Sequence, residues 1–158
     1  MDIRDLQHIS RRAGFGLHYK EVNPLLKLSR EELVNKIFDD SKYYNPLYFK
    51  DIAGLDDLKK DFNKEDKKEL KQKSRQDIKD LNLLWIEKMV NDKAQLKEKM
   101  TLFWHGHFAC RSPIAEFNLN QNNLLRKDSL GSFRNLVHNI SKDPAMLQFL
   151  NNQQNSKD

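Results

Sequence analysis

The sequence Phe103-Trp104-His105-Gly106-His107-Phe108 places three large aromatic side chains and two imidazoles within six residues, beside a glycine. Aromatic side chains bury large areas, and a histidine beside them needs a hydrogen-bond partner or a ligand, because an unpaired buried polar group is costly. The segment is therefore predicted to be either a packed corner of the core or part of a ligand pocket.

Helical periodicity extends outward from this segment. One side of a helical wheel collects the apolar stripe Leu96, Met100, Phe103, Trp104 and His107, which predicts a helix with a single buried face. On this register Lys97, Glu98 and Lys99 turn largely away from the buried side.

The same register predicts in which directions the two histidine side chains project. Residues two apart on a helix project roughly 200° from each other, so His105 and His107 cannot ligate one ion on a regular helix. We therefore expect no metal site, with His107 buried and hydrogen-bonded and His105 pointing outward. The alternative is that both histidines serve a pocket.

Spacing and capping signals elsewhere predict further helices and no strand. Ser29 and Glu32 have capping-box spacing, and Asp143 followed by Pro144 has the residue preferences of a helix start. Residues 39–54 are predicted to form an ordered connection. The expected apolar faces comprise Ile3, Leu6 and Ile9, ended by Gly14 and Gly16; Leu33, Val34, Ile37 and Phe38; Ile78, Leu81, Trp85 and Met89, ending near Asn91; Leu124 and Leu125; and Phe133, Leu136, Val137 and Ile140. The predicted fold is all-α, an irregular multi-helix bundle.

Composition bounds the size of the core. A chain of 158 residues is about one domain long, and its 38% hydrophobic content is low beside 32% charged residues. We expect a single domain over residues 1–158 with a small core, or apolar faces that meet a partner. No signal peptide or membrane-spanning run is visible.

The charge pattern bears on nucleic acid as a partner. The net charge is +5, but between Asp56 and Asp80 lysines alternate with acids that include Asp61 and Asp77. This pattern is typical of a solvated helical face with ion pairs, whereas phosphate binding favours one-sided clusters of cations. No nucleic-acid partner is therefore predicted.

Two further candidates carry weaker signals. Arg11 and Arg12 precede a glycine turn, and they can bind a carboxylate or phosphate or, as the preferred interpretation, stabilise the end of a helix. Cys110 beside Arg111 is interpreted as an inert small residue rather than a reactive thiol. A nucleophile elbow, a phosphate loop and a dinucleotide fingerprint are absent from the sequence.

Three motifs in order resemble signatures of the domain of unknown function 1800 family. These are the runs from His8 to Gly16 (HISRRAGFG), from Phe103 to Phe108 (FWHGHF) and from Asp143 to Leu147 (DPAML). Between the last two, the positions that also fit the family are Arg126, Leu130-Gly131-Ser132-Phe133 and Leu136. The resemblance spans nearly the whole chain.

The resemblance implies a larger protein. Members of this family are similar to mainly helical bacterial proteins several hundred residues long, so the chain is expected to be an N-terminal portion and an incomplete part of a larger helical domain. The remainder would begin after Ser156-Lys157-Asp158. The C-terminal remainder of the protein is therefore one expected partner. Family members are often exported and encoded beside a sulfatase-like family, so the resemblance suggests a sulfatase-like protein as a second partner. At Asn151 the family commonly has an acid, so a possible anionic ligand is missing here.

Neither an activity nor a cofactor follows from the resemblance, and two hypotheses about function result. The preferred hypothesis is a helical scaffold or interaction portion whose apolar faces pack on another polypeptide. The alternative is part of a hydrolytic or ligand-modifying enzyme, whose catalytic candidates would be Arg11, Arg12, His105, His107 and Arg126.

Overall fold

The all-α prediction is confirmed. A computed structural model describes residues 1–58 and 63–152, and this part of the chain contains helices and no strand. The helices are α1 (Ile3–Ala13), α2 (Tyr19–Leu26), α3 (Arg30–Asp40), α4 (Leu55–Leu58), α5 (Lys64–Asn91), α6 (Gln95–His107), α7 (Ala115–Asp128), α8 (Phe133–Ile140) and α9 (Pro144–Phe149).

The capping signals in the sequence mark real helix starts. In the capping box of α3, the Glu32 amide donates to Ser29 Oγ (3.1 Å) and the Ser29 amide donates to Glu32 Oε2 (2.7 Å). At α9, Asp143 Oδ1 accepts from the Met146 amide at 3.1 Å, and Pro144 is the first helical residue. Both arrangements satisfy amides that the first turn leaves without a helical partner. The predicted end of α5 near Asn91 is also confirmed.

Helix α2 was not predicted from the sequence. His18 Nδ1 caps it by accepting from the Lys20 amide, and Glu21 Oε2 accepts from the His18 amide. Pro24 lies inside the helix, where proline normally breaks helices by removing an amide donor. The combination of a histidine cap and an internal proline explains why the pattern gave no helical signal.

Helix α7 is the central element, packing against α5, α6, α8 and α9, while α1 and α3 pack against α6. Two small apolar clusters result. One contains Leu47, Leu81, Trp85 and Leu119, and the other contains Leu125, Leu136 and Ile140. The first cluster confirms the predicted apolar face of α5, and the small size of both agrees with the low hydrophobic content.

The charged segment that begins α5 is only partly solvated. Most of its charged side chains are exposed, but Ser74 and Asp77 are buried. Asp77 Oδ2 accepts from the Ala53 amide at 2.8 Å, and Ser74 Oγ donates to the Pro113 carbonyl at 2.6 Å. The prediction of a solvated helical face is therefore wrong for Asp77, and at Ser74 and Asp77 α5 is fixed to two connecting segments. Asp61 lies outside the described residues.

Candidate functional site

Helix α6 carries the histidines and is regular from Gln95 to His107. It ends where the Phe108 amide donates to the Trp104 carbonyl at 2.8 Å. The helical prediction for this segment is therefore confirmed.

The predicted register of α6 is wrong in part. Of the predicted apolar face, Phe103 (56% exposed) and His107 face solvent, whereas Leu96, Met100 and Trp104 are half-buried. The fully buried residues are polar: Lys97, Glu98 and Thr101. Glu98 pairs with Arg126 of α7, and Thr101 Oγ1 donates to the Lys97 carbonyl on the same helix at 2.8 Å. Apolar periodicity misidentified the inner face because burial follows satisfied hydrogen bonds as well as apolar area.

The two imidazoles diverge, but in the sense opposite to the prediction. His105 is half-buried with its ring centroid 5.0 Å from that of Trp85, in edge-on geometry. His107 is exposed, 6.4 Å from the Phe103 centroid and nearly parallel to it. Burial lowers the pKa of His105 below its ordinary value, which favours the neutral ring.

A set of touching rings lies at the C-terminal end of α6. We call it the aromatic surface and define it as Phe103, Trp104, His107, Phe108 and Phe133. Trp104 is its centre: Phe108 and Phe133 stack on the indole at 5.8 and 5.5 Å, and Phe103 meets it edge-on at 4.9 Å. Phe103, His107 and Phe133 are exposed, so an apolar surface faces solvent here.

The centre of this surface is anchored to the loop before α8. Trp104 Nε1 donates to the Ser129 carbonyl at 3.0 Å, which satisfies the indole donor while the ring packs on the second apolar cluster. The aromatic surface is thus held jointly by α6, α8 and the loop that connects α7 to α8.

A buried ion pair lies on the inner face of α6. Arg126 is fully buried and donates through Nε and Nη2 to the two oxygens of Glu98, at 2.6 and 3.0 Å. Its Nη1 donates to Asn123 Oδ1 at 2.8 Å, and Trp85 Nε1 donates to Glu98 Oε2 at 3.2 Å. Arg126, a catalytic candidate, therefore has a set of protein partners that joins α6 and α7.

Sequence reasoning missed Glu98 as a member of this network. The signal that could have found it is a second periodic set on α6, in which Glu98, Thr101 and His105 recur at spacings of three and four. These residues share a helical face. Lys97 is also buried there, and that burial lowers the pKa of its ammonium.

The Arg11-Arg12 turn lies at the other end of α6. Both arginines are exposed in the last turn of α1, and the Phe15 amide donates to Gln95 Oε1 at 3.3 Å. Gln95 begins α6, ten residues before His105, a separation of about 15 Å along the helix axis. The structure thus places this turn and the histidines at opposite ends of one helix.

A cleft of about 820 Å³ opens beside the same turn. Helix α1 contributes Ser10 and Ala13 to its lining, and the connection from α5 to α6 contributes Asp92 and Lys93. The remaining walls come from residues 14–18, α2, α3, the end of α5 and Gln95 of α6. The glycine turn that follows Arg11 and Arg12 therefore borders a cleft that is distinct from the aromatic surface.

Cys110 has the environment of an inert thiol. Its sulfur lies 2.8 Å from Gln121 Nε2, and burial raises the pKa of the thiol above its ordinary value. Arg111 is exposed and does not offset this effect. A raised pKa leaves less of the nucleophilic thiolate at pH 7.

Gln121 also donates to Asp143 Oδ1 at 3.2 Å, and burial raises the pKa of that carboxyl.

Within residues 1–58 and 63–152, no group of three or more histidine, cysteine, aspartate and glutamate side chains is placed to hold a metal ion. No helix in the same part of the chain has the length and apolar character to cross a membrane.

Comparison with known proteins gives one result. Neither the curated proteins nor the solved structures contain a significant match to this chain. The pattern of one protein family matches residues 8–158, nearly the whole chain. The chain therefore belongs to the family described as protein of unknown function (DUF1800).

Proposed function

We propose that the chain is a helical interaction module, a scaffold that binds another polypeptide through the aromatic surface. The observation that supports the proposal is the exposure of Phe103 and Phe133, each 56% accessible, on the two sides of Trp104. Contiguous exposed apolar groups mark interaction sites in folded proteins. Aromatic anchors of this kind supply a large share of binding energy at interfaces.

The surroundings of these rings extend the apolar area. Leu102, Leu130 and Val137 are also exposed and flank the rings along α6, the loop before α8 and α8 itself. Val137 lies four residues after Phe133, so both project from the same side of α8. The surface is therefore broad enough to receive more than one side chain of a partner.

The rings are also held in place before any partner arrives. Trp104 is fixed by its hydrogen bond to Ser129 and by its stacking contacts, and the Glu98–Arg126 pair joins α6 to α7 beneath it. A preorganised surface loses less conformational entropy on binding. This rigidity favours a docking role over a surface that forms only on contact.

The alternative prediction, an enzyme pocket that combines Arg11, Arg12, His105, His107 and Arg126, has less support. The arginine turn and the histidines lie about 15 Å apart along α6. Arg126 already donates to Glu98 and Asn123. A shared pocket would require these groups to converge on one substrate.

An apolar dye tests the proposal. The wild-type chain should bind 1-anilinonaphthalene-8-sulfonate with increased fluorescence while its near-UV circular dichroism remains that of a packed protein. Phe103→Ser together with Phe133→Ser should remove more than about half of that signal, because it removes the exposed rings.

Leu83→Ser is the matched control, since Leu83 is 65% exposed on α5, away from the aromatic surface. The control should retain the dye signal of the wild type. Equal dye signals from all three proteins would contradict the proposed interaction surface.

A further inference from the structure

We propose that the partner of the aromatic surface is an acidic amphipathic peptide segment, one that carries aliphatic or aromatic anchors next to carboxylates. This inference rests on the proposed function and adds the chemistry of the partner. Two independent features support it: the apolar character of the surface and the sign of the charges around it.

The charge around the surface is positive. Residues 99–158 contain seven of the 28 lysines and arginines but four of the 23 acids, so they account for three of the five net positive charges. Arg126 and Asp143 are buried and are unavailable to a partner. Between residues 99 and 142 the cations outside the buried ion pair are Lys99, Arg111, Lys127, Arg134 and Lys142, against the acids Glu116 and Asp128.

Two of these cations adjoin the rings. Arg134 follows Phe133 directly and is exposed. Lys127 is exposed two residues before Ser129, whose carbonyl accepts from Trp104. Lys99 does not contribute, because its ammonium lies 5.0 Å from the centre of the Phe15 ring, at the other end of α6. Apolar anchors framed by cations are complementary to a segment that presents apolar groups framed by carboxylates.

The acids in this region do not cancel that field at the rings. Asp128 follows Lys127 directly and accepts from Asn139 Nδ2 at 2.7 Å, so one acid stands against the two cations Lys127 and Arg134. Glu116 lies in the first turn of α7, at the end remote from Ser129, with its side chain against Gly54. The cationic border therefore keeps its sign beside the aromatic surface.

The same features disfavour two other occupants. A second copy docked face to face would bring Lys127 and Arg134 against the same cations, and like charges in an interface are unfavourable. Single-stranded nucleic acid needs ring faces free for base stacking, but Phe108 and Phe133 already stack on Trp104. Aliphatic groups such as Leu130 and Val137 also border the rings, and these suit apolar side chains.

Peptide display tests the inference directly, because selection from a random library does not presuppose the charge of the peptide. A phage library of random peptides of about 16 residues, long enough for about four helical turns, would be selected on the wild-type chain at low ionic strength. Enriched peptides should combine aliphatic or aromatic residues with a net negative charge. Their affinities would then be measured by fluorescence anisotropy as synthetic peptides.

Variants separate the apolar and the electrostatic contributions. Phe103→Ser should lower the affinity for the enriched peptides at least about tenfold. The double variant Lys127→Glu with Arg134→Glu leaves the rings intact. It should lower the affinity at least about fivefold and reduce the salt dependence of binding. Two control variants on the exposed side of α5 should change the affinity by less than about twofold. They are Leu83→Ser for the ring variant, and Lys68→Glu with Lys79→Glu for the charge reversal.

Each other outcome overturns a defined part of the inference. Neutral or basic enriched peptides, or affinities unchanged by charge reversal, would refute the acidic partner and leave the interaction surface standing. Peptides insensitive to Phe103→Ser, or no enrichment at all, would refute both. A labelled single-stranded oligonucleotide or a second copy that binds in a Phe103-dependent way would assign the surface to that partner and overturn the inference.

Discussion

At the scale of single residues, Glu98 and Arg126 are the most constrained pair among the described residues. Both are buried to 1% exposure or less, and each nitrogen of the guanidinium has an acceptor at 3.0 Å or less. A bidentate pair fixes orientation as well as distance. Removing one partner leaves the other as an uncompensated buried charge, which costs more than removing both.

This arrangement predicts strong coupling between the two substitutions. Glu98→Leu and Arg126→Met should each lower the free energy of unfolding by about 3–5 kcal/mol. The double variant should be more stable than the sum of the two losses predicts, by at least about 2 kcal/mol, because neither charge remains unpaired. The measurement is urea denaturation monitored by circular dichroism. It is made on the wild type, the two single variants and the double variant, which together form a double-mutant cycle.

The control for this cycle is the exposed pair between Arg30 and Asp5, at 2.7 Å with both side chains open to solvent. Arg30→Met should leave the urea midpoint unchanged, since solvent and salt screen such pairs. Strictly additive effects of Glu98→Leu and Arg126→Met would contradict the role assigned to the buried pair.

At the scale of secondary-structure elements, two glycines at the two ends of α6 have opposite surroundings. A Cβ on Gly14, at the C-terminal end of α1, would lie 2.9 Å from Gln95 Cβ at the start of α6. The backbone of Gly14 is extended, so the close approach of the two helices, and not its φ angle, requires glycine there. Gly106, in the last turn of α6, has open space around the same position.

The two glycines should therefore respond to alanine with opposite signs. Gly14→Ala should destabilise the fold by about 1–3 kcal/mol, because α1 and α6 must move apart. Gly106→Ala should stabilise it by about 0.5–1 kcal/mol, because alanine loses less backbone entropy than glycine in a helix. Thermal and urea denaturation of both variants beside the wild type provide the comparison.

Each glycine variant serves as the control of the other. Stabilisation by Gly14→Ala would show that α1 does not approach α6 as closely as described. A large loss of stability from Gly106→Ala would show that this face of α6 is covered.

At the scale of the whole molecule, α7 unites two small cores. Leu119 belongs to the cluster around Trp85, and Leu125 belongs to the cluster against which Trp104 packs. Arg126, which pairs with Glu98 of α6, lies on the same helix one residue after Leu125. Neither cluster has enough apolar residues to form a separate core, so we expect the described helices to unfold together.

The two tryptophans report on this cooperativity. Trp85→Phe leaves Trp104 as the fluorescent probe of one cluster, and Trp104→Phe leaves Trp85 as the probe of the other. In each variant the fluorescence midpoint in urea should coincide with the midpoint from far-UV circular dichroism. Two transitions, or probes whose midpoints differ within one variant, would show that the clusters unfold independently.

The helices themselves were largely predictable from sequence. Ser29 with Glu32 and Asp143 with Pro144 marked true helix starts, because capping chemistry is local and involves residues at most three apart. The apolar face of α5 was predictable because Leu81 and Trp85 bury in an ordinary apolar cluster. Helix α2 escaped prediction because Pro24 is a poor helix former and the cap is a histidine.

The candidate site was only half predictable. The sequence of this protein determined that Phe103, Trp104, His105 and His107 lie on a helix and that the two imidazoles diverge, since helical geometry depends on spacing alone. Tertiary structure decided which side faces inward. Arg126, 28 residues away in sequence on α7, satisfies Glu98, so the polar side of α6 is buried while Phe103 and His107 remain exposed to solvent. A paired charge can be buried where an unpaired one cannot.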